Sequence, residues 1–313
     1  MKIMLLNILV SLSATMVFAA TPTKTKLALN WKAEPQFGGF YTAQINGEFK
    51  KRGLDVEILE GGSGTPTVQM LGANKVDYAI VSAEEIILAQ DRGSKIVGLF
   101  ATYQTNPQAI MTHEARGFKT LKDVFASEGV LSVQSGLSYA QFLLKKYPQP
   151  KVKVVPYLGG ITNFVKDPQY SQQCFFTSEP LLAEKAGLKT KTFLVSEEGF
   201  NPYTTVVAVS AETLKKDPKT SKAMIDAIRA GWEEYLKNPE PTNKHMAGIN
   251  KSMDAETFAK SATAQKSLIE TTETKQKGLG FMSEQRWQDL ITQLKDLKII
   301  KKSLNPKDLY QAM

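Results

Sequence analysis

Two hydrophobic rhythms alternate through the first hundred residues. Positions 26–31 are apolar enough for a strand, and 39–52 carry helical spacing closed by Gly53. Residues 54–59 alternate apolar and polar side chains, the period of a half-buried strand. A tight loop, 61–66, opens a helix that runs to Asn74. The stretch 76–81 predicts a third strand, 84–92 a helix and 95–102 a fourth strand. Strands separated by helices of ~10 residues predict right-handed crossovers and a parallel sheet. A second unit of the same kind begins near Phe118, with strands over 130–133, 152–155, 173–176 and 192–195 and helices over 139–147 and 179–186. The chain returns through 204–209. From Ala211 onward the spacing is helical, over 220–237, 242–249, 255–265 and 283–297, with Asp254 and Ser283 placed as N-caps. These helices are too polar to form a core alone and are expected to pack back onto the first unit.

The resulting expectation is an α/β chain of two doubly wound lobes joined by two crossings, near 111–117 and 199–205, with a helical C-terminal extension on the first lobe. Lobe 1 comprises 20–113 plus 205–313, and lobe 2 comprises 114–204. Two crossings permit a hinge, and a ligand then sits between strand ends and helix starts. The first residues add a destination. Lys2 precedes an apolar stretch that ends in Val17-Phe18-Ala19-Ala20, the layout of a cleavable signal peptide over 1–19. Cys174 is the sole cysteine, so neither a lipoprotein anchor at the cut nor an internal disulfide is expected. The expected location is a periplasm.

The net charge of +8 changes little, because the lysines are spread along the chain. No basic stripe interleaved with aromatics predicts nucleic-acid binding. Catalytic signatures are thin. His113 and His245 lie far apart in the sequence, and no His-x-x-x-His, paired cysteine, Gly-x-Ser-x-Gly turn or phosphate loop occurs. No catalytic residue, metal or cofactor is therefore expected.

The candidate ligand contacts lie at strand C-ends and helix N-ends. Trp31, Gln36 and Phe37 follow the first strand, where aromatic faces suit a flat ligand. Ser63, Gly64 and Thr65 open a helix with free N–H groups. Ser82 and Glu84 follow the third strand, beside Glu85; one acidic residue suits the helix dipole, and a second suggests a partner. Tyr103 and Asn106 follow the fourth. Ser135, Tyr139, Ser178 and Glu179 open helices of the second unit, and Tyr203 sits at the return crossing. Together they describe an apolar platform with a few polar anchors, as in small-molecule sites.

Combined motifs carry a resemblance over nearly the whole chain. They are Leu29-Asn30-Trp31, Gly53-Leu54-Asp55-Val56-Glu57-Ile58, Gly61-Gly62-Ser63, Asp77-Tyr78-Ala79-Ile80, Tyr103-Gln104-Thr105-Asn106-Pro107, Thr177-Ser178-Glu179-Pro180 and Gly278-Leu279-Gly280-Phe281-Met282 with Arg286-Trp287. The chain resembles periplasmic binding proteins related to pyrimidine-precursor synthases, whose relatives bind sulfonates, nitrate, thiamine pyrimidines or riboflavin for ABC importers. The resemblance implies a type II periplasmic-binding fold, a monomer, a small-molecule ligand and a membrane permease as partner. The heterocycle binders of that family place a Trp where Trp31 stands and an acidic residue where Glu179 stands. Where the synthases carry an Asn-x-x-His-Ala-Gly-like run, this chain has Glu34-Pro35-Gln36-Phe37-Gly38-Gly39. Phe37 in place of that reactant His argues against synthase activity, and an added aromatic suits a ring as large as a flavin. The expected ligand is a small flat N-heterocycle, either hydroxymethylpyrimidine-like or flavin-like. The alternatives are a small anion such as a sulfonate or nitrate and, disfavoured, pyrimidine-precursor synthesis.

Overall fold

The structure is a computed structural model and describes residues 21–62 and 64–313. The expected signal peptide, 1–19, and Ser63 lie outside the described residues. Among the described residues, ten strands form two five-stranded sheets. In chain order they are β1 (Thr23–Ala28), β2 (Leu54–Leu59), β3 (Tyr78–Val81), β4 (Ile96–Tyr103), β5 (Gln108–His113), β6 (Val130–Val133), β7 (Lys153–Pro156), β8 (Tyr170–Phe175), β9 (Thr190–Leu194) and β10 (Thr204–Ser210). The first sheet has the order β2-β1-β3-β10-β4 and the second β7-β6-β8-β5-β9. β3 and β4 are buried at every position because helices cover both faces of the sheet. β2, on the edge, begins with the alternation its sequence shows.

The sheets are mixed rather than wholly parallel. β10 runs antiparallel to β3 and β4, and β5 antiparallel to β8 and β9. Each is the strand by which the chain enters a lobe directly from the other one. No helical crossover turns it round, so it runs against its neighbours. β5 also moves the first crossing. Residues 108–113 pair into the second sheet, so the chain leaves the first lobe at 104–107, earlier than the 111–117 read from the sequence.

The C-terminal helices do pack onto the first lobe. Helix Pro218–Lys237 lies on helix Gly38–Ile45 at backbone contact distance. A Cβ on Gly39 would stand 2.2 Å from the Trp232 ring, one on Gly38 2.2 Å from the Tyr235 ring, and one on Gly231 2.2 Å from the Gly39 carbonyl oxygen. The Gly38-Gly39 pair is thus a packing requirement. Helix Ala255–Ile269 braces the 3₁₀ turn Pro35–Phe37, with the Gln265 Nε2 donating to the Pro35 carbonyl at 2.9 Å.

The two crossings are tied to each other. The Asn106 backbone N–H donates to Asn201 Oδ1 at 2.8 Å, and Asn106 Nδ2 to the Pro202 carbonyl at 3.1 Å. Arg286, from helix Glu284–Asp296, donates to the Asn201 carbonyl at 2.6 Å and to Asn201 Oδ1 at 2.9 Å. Its guanidinium lies 3.8 Å from the centroid of the Tyr203 ring. The Tyr203 hydroxyl accepts from the Ser283 N–H at 2.9 Å. Two expected ligand contacts therefore spend their polar groups or ring face within the crossings. Asn106 commits its remaining oxygen to the Gln108 N–H, and Tyr203 has its face covered by Arg286.

Candidate ligand-binding cleft

Parallel pairing brings the site residues to the sheet edges. β1 and β3 are in register at Ala28 and Ala79, so the segments after them open side by side. They carry Trp31 and Glu34 on one and Ser82 and Glu84 on the other. In the second sheet β6 and β8 are in register at Ser132 and Gln172, which brings Gln134 and Ser135 beside the segment carrying Ser178 and Glu179. Across the gap, the ring of Tyr103 at the end of β4 meets Phe175 at the end of β8 edge-on, with centroids 6.3 Å apart.

Carboxylates from both lobes line this gap. Glu34 accepts from the Trp31 indole N–H at 3.1 Å. Burial raises its pKa to about 7 against the indole hydrogen bond, and the negative charge of Glu179 from the other lobe adds to the rise. Glu179 opens helix Glu179–Lys185. It accepts from the Phe175 N–H at 2.8 Å and from the Tyr157 hydroxyl at 3.1 Å. Burial still holds its carboxyl above the usual range. Glu84 and Glu85 divide the two roles that the sequence left open. Glu85 and Ser82 form a reciprocal capping box, with N···O distances of 2.8 and 3.3 Å. Glu84 keeps a buried Oε2 without a hydrogen-bond partner among the described residues, and burial raises its pKa to about 7. A buried acceptor without a partner costs free energy until something donates to it.

The remaining candidates divide. Trp31 is 37% exposed and presents an open indole. Gln36 is half-buried on the turn beside it. Phe37 points the other way. It is fully buried, with its ring 6.4 Å from that of Phe40, because the 3₁₀ turn directs it into the lobe's core. The added aromatic is therefore not a platform, and the inference from it to a flavin-sized ring lapses. Tyr103 is fully buried and donates to Gln265 Oε1 at 2.6 Å, so its hydroxyl is spent inside the lobe. Gly64 sits in the left-handed region at φ 78°, and the Thr65 hydroxyl accepts from the Gly62 N–H at 2.7 Å. The Thr65 hydroxyl is thus spent within the loop. Ser135 is exposed, Tyr139 is buried with its hydroxyl on Gln173 Oε1, and Ser178 is half-buried.

Glu34 and Tyr157 were missed. Tyr157 follows β7 directly and obeys the same strand-end rule that selected the others. Glu34 lies three residues after Trp31, a spacing at which its carboxylate reaches the indole; the aromatic beside it drew the reading instead.

A sequence profile described as "NMT1/THI5 like" matches residues 34–242. This chain belongs to the NMT1/THI5-like family. Among curated relatives it is 32% identical over 76 residues to a 4-amino-5-hydroxymethyl-2-methylpyrimidine phosphate synthase of Candida albicans. That match covers 24% of this chain and 22% of the relative. Three solved structures share the fold of this family member over nearly its whole length. The aliphatic sulphonate binding protein SsuA of Escherichia coli has a TM-score of 0.71 at 12% identity, covering 91% of this chain and 96% of that one. The nitrate-binding protein NrtA of Synechocystis gives 0.67 at 15% identity, covering 93% and 86%. The CA3427 gene product of Candida albicans, described as having the generic periplasmic binding protein fold, gives 0.65 at 16% identity, covering 93% and 96%. Among the described residues no helix is long and apolar enough to cross a membrane.

Proposed function

We propose that this protein is a solute-binding component of an ABC importer. It closes two lobes on a small flat N-heterocycle and passes it to a membrane permease in an exported, periplasmic, monomeric form. Facing carboxylates carry the reading. Glu34 and Glu179 come from opposite lobes, both with raised pKa, beside the open indole of Trp31. An amino-bearing ring stacks on the indole and donates N–H groups to the carboxylates, and lobe closure brings both sets of acceptors to it. Capture and release involve no bond cleavage.

The same carboxylates count against a sulfonate or nitrate, whose negative charge they would repel in a site shielded from water. The synthase alternative rests on short-range similarity to curated relatives. Against it, the position of the synthases' His is held by Phe37, a buried hydrocarbon with no proton to exchange.

Thermal-shift screening of the protein from residue 21 onward, against aminopyrimidines, flavins, taurine and nitrate, tests the proposal. A ring compound at a hundredfold excess over its Kd stabilises by about 2.7 kcal/mol. Stabilisation by taurine or nitrate and by no ring compound would overturn it.

A further inference from the structure

We infer that the cleft selects ligands by charge, and that Glu34 makes it a receptor for a cationic, amidinium-like ring rather than a neutral one. The inference rests on the heterocycle reading above and specifies it. Glu34 stands after β1 on the first lobe, and Glu179 faces it from the second. Glu84 follows β3 on the same sheet edge as Glu34, with a buried Oε2 that has no hydrogen-bond partner among the described residues. Two carboxylates thus meet at the cleft, one from each lobe.

The surroundings supply little compensation. The groups near Glu34 are Lys32, which is exposed, Tyr103 of β4 and Glu179. Glu60, from the loop after β2, is spent on the Ala33 N–H at 3.0 Å. Around Glu179 stand Tyr157, Tyr139 and Cys174, each held in its neutral form by burial and by the carboxylate. Helix Ala255–Ile269 contributes the uncharged Gln265, bonded to Pro35. Like charges that share a site cannot all stay ionised without a counter-charge. The unliganded cleft therefore keeps a proton near neutral pH. A ring carrying one positive charge shared between a protonated ring nitrogen and an amino group across the ring replaces that proton, presenting one N–H donor to each lobe.

The direction of the pH effect follows. Glu34, raised to about 7, is mostly protonated at about pH 6 and mostly ionised at about pH 8. A permanent cation binds the ionised form, so its affinity rises about tenfold over that interval and binding below neutrality releases a proton. A neutral ring that accepts a hydrogen bond from protonated Glu34 would show the opposite slope.

The test compares 4-aminopyridine, protonated on its ring nitrogen across that interval, with 4-aminopyrimidine, the same shape and mainly neutral. Titration calorimetry at about pH 6 and about pH 8, in two buffers of different ionisation enthalpy, reads affinity and proton count together. The expected result is roughly tenfold or greater preference for the pyridinium at the higher pH, and proton release at the lower. Glu34→Gln should flatten the pH dependence while its unliganded melting transition stays cooperative. Equal binding of the two rings, or tighter binding of the neutral ring at lower pH, would overturn the charge inference and leave the heterocycle reading standing. Binding of neither ring, with binding of taurine or nitrate, would overturn both. The wild-type pH profile decides the matter even if the variant fails to fold.

Discussion

Glu184 and Lys185 are neighbours at the end of helix Glu179–Lys185, and they reach across to the first lobe with opposite signs. Glu184 Oε1 lies 3.0 Å from Lys260 Nζ, and Lys185 pairs with Asp254. Exchanging the two residues, Glu184→Lys with Lys185→Glu, preserves composition and net charge and leaves Asp254 free to cap its helix through the Thr257 N–H at 2.9 Å. It places like charges opposite Lys260 and Asp254. All four side chains are 42–61% exposed, so the bare attraction of about 1 kcal/mol per pair in water is reduced by screening and by side-chain entropy to roughly 0.2–1 kcal/mol. Removing two attractions and adding two repulsions that flexible lysines partly evade sums to about 1 kcal/mol against closure. That corresponds to about fivefold weaker ligand binding. Calorimetry of whichever ligand the thermal screen finds, together with interlobe fluorescence transfer on the unliganded protein, reads both ends of the effect. At about 0.02 M salt the exchanged variant should bind about fivefold more weakly and populate the closed form correspondingly less. At about 1 M, where the screening length falls to about 3 Å, the difference should shrink to nearly nothing. Adding Lys260→Glu to Glu184→Lys should recover part of the loss. Unchanged affinity at low salt, or a loss that persists at high salt, would refute electrostatic closure.

Three further outcomes are expected. Gly39→Ala should destabilise by about 1–3 kcal/mol in urea unfolding, because its Cβ would meet the Trp232 ring, whereas Gly62→Ala, with nothing within 4 Å, should change stability by less than about 0.5 kcal/mol. Glu84→Gln should raise the melting temperature of the unliganded protein at about pH 8 and lose that advantage towards about pH 4.5. The raised carboxyl makes the folded wild type bind the extra proton between its ordinary 4.5 and about 7, so wild-type stability is greatest below that window and declines through it; parallel melting curves would exclude the effect. Arg286→Lys should cost roughly 1.5–3 kcal/mol of stability, since an ammonium replaces neither the fork on Asn201 nor the stack on Tyr203, and a loss under about 0.5 kcal/mol would show that the guanidinium does not hold the crossings together.

The lobes were legible because their signals are local. Residues 76–81 and 95–102 read as continuous apolar runs since β3 and β4 are covered on both faces, and the helical tail read as amphipathic because it has one face to bury. What escaped depends on where an element goes rather than on what it is. β5 carries Gln108, Thr112 and His113 among its apolar residues, and its antiparallel place in the second sheet follows from the direction of entry, which no local period encodes. The site shows the same division. Trp31 and Glu179 stand out by residue type at strand and helix ends. Phe37 has the right type and the wrong direction, because one 3₁₀ turn decides whether its ring meets solvent or Phe40. Asn106 and Tyr203 lie in the right segment but are consumed by each other's crossing and by Arg286, some eighty residues further on. Glu34 matters first because it is buried where the lobes meet, and then because the Glu179 charge approaches from the other lobe, well over a hundred residues away in sequence. In a two-lobed chain the identity of cleft residues is local information, whereas their charge state depends on burial and on which groups the fold brings beside them.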